Sequence, residues 1–260
     1  MKDTRAVLFV VIIISASVVL FYAWSTYSPM IRPACDVMSV STQSQYVTNG
    51  GFEQGFQGWV DLFGQGNNTA LLSSDDPRCG THSLELVTLQ TANSTGVSLA
   101  HRLNLGQCTT PAGTTFGLLV KNGLTLSLWH RTPNATQTRF GFAVTFHNGS
   151  SKLEIDYLLA FKGIPARDWI SPDLRDGRVE VVLNTSNGAW HKSSIDLFHD
   201  FAKYFGVDPV VRHYCVNYIL LWQGPVSDTN FGAIPAVRFQ PGSRSYAFFD
   251  DIDFYLSTPA

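Results

Sequence analysis

From Ser83 to Leu256 the chain is a succession of short segments rich in β-branched and aromatic residues, each closed by Gly, Pro, Asn or Ser. They fall at Ser83–Leu89, Gly96–Leu105, Leu124–His130, Arg139–His147, Lys152–Phe161, Val179–Asn184, Trp190–Asp196, Val216–Trp222 and Tyr246–Leu256. Strands at this density, with turn signals rather than helices between them, exclude βαβ units and predict an all-β sandwich or barrel. One helix is expected, over Ile195–Phe205, where Leu197, Phe198, Phe201, Tyr204 and Phe205 gather on one side. The length of 260 residues suffices for one such domain with a full core.

The N-terminus carries a different signal. Residues 6–24, AVLFVVIIISASVVLFYAW, are uncharged and would span roughly 28 Å as a helix, close to the hydrocarbon thickness of a bilayer. The run is longer than the apolar stretch of a cleaved signal peptide and ends in aromatic residues suited to the membrane interface. Lys2 and Arg5 precede it, and no Lys or Arg follows until Arg32. The expectation is a cytoplasmic tail over 1–5, a transmembrane signal-anchor helix over 6–24, a stalk over 25–45 and an extracellular domain over 46–257. A cleaved signal peptide and an archaeal pilin-type leader are the alternatives. This places the protein in the cell membrane as a single-pass chain.

Export agrees with two further features. Asn67, Asn93, Asn134, Asn148 and Asn184 each open an Asn-x-Ser/Thr sequon for glycosylation. Cys35, Cys79, Cys108 and Cys215 all lie beyond the apolar run, an even count that favours disulfides in an exported chain. If Ser83–Leu89 and Gly96–Leu105 form a hairpin turning near residues 92–93, Cys79 and Cys108 meet at its open end, which leaves Cys35 for Cys215. The other connectivities, and simple burial of unpaired cysteines, stay open.

Three segments carry a family resemblance. Thr48–Trp59 (TNGGFEQGFQGW) resembles the opening signature of carbohydrate-binding modules grouped with xylanases and laminarinases. Arg78–Leu86 (RCGTHSLEL) is similar to their next strand, and Tyr246–Leu256 (YAFFDDIDFYL) to their closing one. All three occur in that family's order. Leu124–Arg131 and Gly188–Ile195 also resemble its inner strands. The resemblance implies a galactose-binding-like jelly-roll β-sandwich, with Trp59, Trp129 and Trp190 in core positions. It also implies a structural calcium, held by the Glu53 and Asp250 side chains with carbonyls near Asn49 and Thr81. The residues themselves allow it. Period-2 alternation puts Phe248, Asp250, Ile252, Phe254 and Leu256 on one face, and a lone carboxylate on a core-facing stripe needs compensation. A hard cation that accepts carboxylates and carbonyls supplies it. An Arg partner for Asp250 is the alternative.

The function classes narrow accordingly. A net charge of −2 and the absence of any basic cluster argue against nucleic acid. Glu154-Ile155-Asp156 resembles the start of a jelly-roll glucanase strand, but Leu158 and Leu159 stand where the proton-donating Glu is required, so a non-catalytic protein is expected. No metalloenzyme His spacing, nucleophile elbow or phosphate loop is present. Glycan binding through aromatic stacking is the first expectation, with Trp169, Trp222, Tyr157 and Tyr204 as candidates. A structural or adhesive subunit of a surface layer or filament, assembling with copies of itself, is the alternative. The partner is then a glycan or another cell-surface polymer.

Overall fold

The computed structural model describes residues 46–257 except 64–67, 76, 90–95, 134–138, 160–167, 171–176, 184–187, 225–241 and 243. The apolar run 6–24, the stalk, Cys35 and four of the sequons (Asn67, Asn93, Asn134, Asn184) lie outside the described residues. Among the described residues no helix is long and apolar enough to cross a membrane.

The alternating segments form two sheets. The larger has the order β1 (Trp59–Phe63), β4 (Val97–Arg102), β14 (Cys215–Gly224), β9 (Arg139–His147), β10 (Lys152–Leu158), β12 (Arg178–Val182) and β11 (Asp168–Ile170), with β7 (Leu118–Leu119) pairing to β14. The smaller runs β13 (His191–Asp196), β8 (Leu124–Arg131), β15 (Arg244–Leu256), β3 (Ser83–Leu89) and β2 (Thr69–Ser73). A ribbon of β5 (Cys108–Thr109) and β6 (Thr115–Phe116) stands apart. One core lies between the sheets. Phe140, Phe142, Val144 and Phe146 enter it from β9, and Leu124, Leu126 and Leu128 from β8.

The hairpin expected at 83–105 does not form. β3 pairs with β15 and β2, whereas β4 pairs with β1 and β14, so the chain crosses between sheets after Leu89. Alternation fixes which side chains face inward, not which sheet a strand joins. With the hairpin gone, the Cys79–Cys108 pairing fails. Cys108 is bonded instead to Cys215, with Cα atoms 6.2 Å apart, tying β5 to the start of β14. Cys79 is also disulfide-bonded, and its partner lies outside the described residues.

The last strand departs from simple alternation too. Its register with β8 slips between Asp250 and Asp253, and Asp251 takes φ 45°. A bulge of this kind exchanges the faces of everything beyond it. Ala247 and Phe249 face the core before the slip, and Ile252 and Phe254 after it. Phe248 and Asp250 therefore point away from the core rather than sharing a stripe with Ile252.

Residues 148–216 widen both sheets. They contribute β10, β11 and β12 to the larger one, β13 to the smaller one, and the helix α1 (Leu197–Phe205). β10 and β12 run parallel. The helix starts at Asp196, whose side chain accepts from the His199 N–H, and ends at Gly206 in the left-handed region. It buries Leu197, Phe201 and Tyr204, with the Phe201 ring 5.0 Å from Phe146 and 4.8 Å from Tyr214. Replacing Cys108 or Cys215 by Ser is expected to lower the unfolding free energy by about 2–5 kcal/mol, measured by guanidinium unfolding. An unchanged midpoint would mean that the bond constrains neither state.

Candidate functional site

The three family-like segments meet at one place. Asn-Gly-Gly turns the chain, with Asn49 and Phe52 both at φ 56°. Asn49 holds the turn: its side-chain amide donates to the Gly55 carbonyl (2.8 Å), its Oδ1 accepts from Gln54 N–H (3.0 Å), and its carbonyl accepts from Phe52 N–H and Trp59 Nε1. Gly50 accepts a hydrogen bond from Ile252 N–H and lies so close to β15 that a Cβ would strike the Ile252 carbonyl. Glu53 then reaches the loop before β3. Its Oε1 accepts from Thr81 N–H (2.8 Å) and His82 N–H (2.9 Å), and its Oε2 from the Thr81 hydroxyl (2.6 Å). Gly80, at φ 64°, has no room for a Cβ against the Glu53 carboxylate. From the other side, Asp250 Oδ2 accepts from Cys79 N–H (3.2 Å) and Oδ1 from Asp251 N–H (2.8 Å). Two carboxylates thus grip one short loop.

Their electrostatics differ. Burial pushes Glu53 up, but the Thr81 hydroxyl and the His82 and Thr81 N–H groups outweigh it and leave the carboxyl below its ordinary range. Asp250 is 1% exposed; burial first, and Asp251 second, push it up to about 8. A carboxyl in this state suits a cation. Of the four expected calcium ligands, Glu53 and Asp250 turn their carboxylates to the 79–82 loop, the Asn49 carbonyl accepts from Phe52 and Trp59, and Thr81 gives its N–H and hydroxyl to Glu53. Among the described residues no group of three or more acidic, His or Cys side chains gathers around a common point. A cation here would need backbone carbonyls to complete its shell.

The expected sugar-stacking aromatics do not form a surface. Tyr157 and Tyr204 are core residues: the Tyr157 ring stacks on Phe142 at 4.7 Å and its hydroxyl donates to Asp200. Trp222 points outward from the larger sheet but is buried with Ala143, Leu158 and Val182. These three are corrected on burial. Trp169 opposes Glu180 in β11, and its side chain lies outside the described residues. Around Trp222 the same face carries Asp156, with Glu180 beside it in register from β12, and Glu154 opposite Arg178. Asp156 is ion-paired with Arg178, and Glu154 with Lys152 at 3.3 Å. Burial raises Asp156 to about 7, against the pull of Arg178. A reading along one strand could not find Glu180, because parallel pairing brings it in from 24 residues away.

Sequence reasoning also misplaced two tryptophans. Trp59 is in the core, but Trp129 and Trp190 are half-buried and belong to no core cluster. Trp129 stands on the outer face of the smaller sheet, opposite Lys192 on one side and Asp250 on the other. The Arg78 guanidinium lies 4.0 Å above its ring. Arg131, opposite Phe248, lies 4.5 Å from the Phe248 ring and 5.1 Å from Trp190. Arg78 Nη1 is buried without an acceptor, an arrangement that costs on the order of 1–3 kcal/mol or more for a charged donor. Of the sequons, Asn148 is described; its Oδ1 accepts from Ser150 and Ser151 N–H in the turn between β9 and β10.

No family model matches the chain, and no curated protein matches it. Among solved structures, a family 61 carbohydrate-binding module in complex with β-1,4-galactotriose is similar over 82% of this chain and 99% of its own, at 11% identity and a TM-score of 0.39. The CBM22-1 xylan-binding domain from Paenibacillus barcinonensis Xyn10C is similar over 84% and 98%, at 12% identity and 0.39. The xyloglucanase domain of NopAA from Sinorhizobium fredii is similar over 83% and 98%, at 12% and 0.43. Binding modules and a hydrolase domain thus stand side by side, and the likeness does not choose between them.

Two outcomes are expected from the clasp. Folded Asp250 keeps a proton up to about pH 8, whereas the unfolded chain releases it near about pH 4. The folded state therefore binds more protons across that window, and stability falls as pH rises through it. In calcium-free buffer the urea midpoint should drop between those limits, and Asp250→Asn should flatten part of the slope. Gly80→Ala should destabilise by more than about 1 kcal/mol, since it combines positive φ with a steric clash; a neutral effect in thermal unfolding would remove the close contact with Glu53.

Proposed function

We propose that this chain is a non-catalytic glycan-binding protein, displayed outside the cell on an anchor over residues 6–24. The observation that carries the reading is the meeting of the three family-like segments: Glu53 on Thr81 and His82, Asp250 on Cys79, and Gly50 on Ile252. They join the opening turn, the loop before β3 and the last strand, the three segments that resemble a carbohydrate-binding module. The two-sheet architecture supports it. Export is supported by the Cys108–Cys215 bond and by the second disulfide at Cys79, since such bonds persist in oxidising compartments. The non-catalytic reading is supported by the ion pairs that Asp156 and Glu154 make with Arg178 and Lys152.

Calcium belongs to the same proposal. Glu53 and Asp250 would hold it between the opening turn and the last strand, where it would supply the positive charge that a buried Asp250 carboxylate lacks. Its role is structural. Added calcium should raise the melting temperature above that in chelator, and Asp250→Asn or Glu53→Gln should abolish the difference. Equal melting temperatures in chelator and calcium would leave hydrogen bonds alone to hold the clasp.

The binding function is tested with the full chain in detergent on a glycan array that includes laminarin and xylan oligosaccharides. Retention of at least one glycan series is expected. A folded protein that retains none would overturn the reading.

A further inference from the structure

Glycan binding needs a surface, and the described tryptophans that stay half-buried lie on or beside the smaller sheet. On the larger sheet Trp222 is covered, Tyr157 is in the core and Tyr218 is half-buried, while Tyr204 of α1 is in the core. On the smaller sheet Trp129 and Trp190 stay half-buried. We propose that the glycan seats on the outer face of the smaller sheet, with Trp129 and Trp190 stacking on its sugar rings and Arg131 and Lys192 donating to its hydroxyl oxygens. This rests on the glycan reading and gives it a location.

The placement follows from register. His191 opposes His130, so Trp190 falls opposite Arg131 and diagonal to Trp129. Diagonal neighbours of this kind stand roughly 7–8 Å apart, within reach of large side chains. Two indoles on diagonal positions of one face suit a single chain of sugars. The ligand class that fits is a pyranose chain with equatorial hydroxyls, whose ring faces present C–H groups to an aromatic surface while the hydroxyls point sideways to the cations.

The indoles are also held in place. Arg78 stacks on Trp129, and Arg131 sits between Phe248 and Trp190. Fixing the rings beforehand reduces the ordering that binding would otherwise require. Arg78 does this while its buried Nη1 lacks an acceptor, and local violations of good packing are expected where a site imposes its own geometry. Lys192 is exposed beside Trp129.

The test compares full-chain variants by calorimetry against the best-retained array oligosaccharide. Trp129→Ala and Trp190→Ala should each weaken binding by about tenfold or more, with melting temperatures close to the parent's. Trp129→Phe, which keeps a ring, should recover part of the loss and covers the case in which the alanine variant misfolds. Tyr218→Ala, half-buried on the outer face of the larger sheet, should bind as the parent does. Parental affinity in both Trp→Ala variants, or loss in Tyr218→Ala, would move the site off this face and leave the glycan reading standing. A parent protein that retains no glycan would remove both.

Discussion

The described domain is closed by two carboxylates holding one loop. Residues 79–82 lead into β3, the strand beside β15, and three of their N–H groups turn to carboxylates. Glu53 takes two of these and the Thr81 hydroxyl, and Asp250 takes the one at Cys79. Because Glu53 belongs to the first turn and Asp250 to the last strand, the loop joins the two ends of the domain. Tyr46 N–H, bonded to the Phe254 carbonyl at 2.7 Å, extends the junction along β15. The strain is local: Asn49, Phe52 and Asp251 account for three of the four non-glycine residues at positive φ among those described, and backbone in that region persists only where its surroundings over-determine it.

The two outer faces manage charge in opposite ways. On the larger sheet, Glu154, Asp156 and Glu180 are balanced by Arg178 and Lys152 close to a buried tryptophan, the pattern of a face that is neutralised internally. On the smaller sheet, the Arg78 and Arg131 guanidinium groups lie over aromatic rings, so charge is met by ring faces rather than by carboxylates. Neither arrangement is visible from composition, since each depends on strands distant in the chain.

Much of the fold was nonetheless legible. The segments at Ser83–Leu89 and Arg139–His147 coincide with β3 and β9, and the expected helix became α1. In Leu124–Arg131 the alternation was complete: Leu124, Leu126 and Leu128 turn inward, which leaves Trp129 among the outward residues with Thr125, Ser127 and Arg131. The period alone is enough to turn that tryptophan outward; the family resemblance, which implied a core position for it, was the misleading guide. What alternation could not give was sheet membership, which decided the disulfide, or the bulge at Asp251, which reversed the faces of β15. Both depend on partners more than a hundred residues away, and the parallel entry of Glu180 depends on a connection with no sequence signature of its own. The clasp was legible as a set of residues, but its hydrogen bonds were not.

The Cys108–Cys215 bond encloses everything from Thr109 to Tyr214, including the strands and helix that widen the sheets. That stretch is a covalent ring within the chain. Proteolysis at any one point inside the ring opens it without releasing a fragment, whereas a cut before Cys108 or after Cys215 is not covered by this bond. The strands and helix that widen the sheets therefore stay attached through this bond after any single cut inside it.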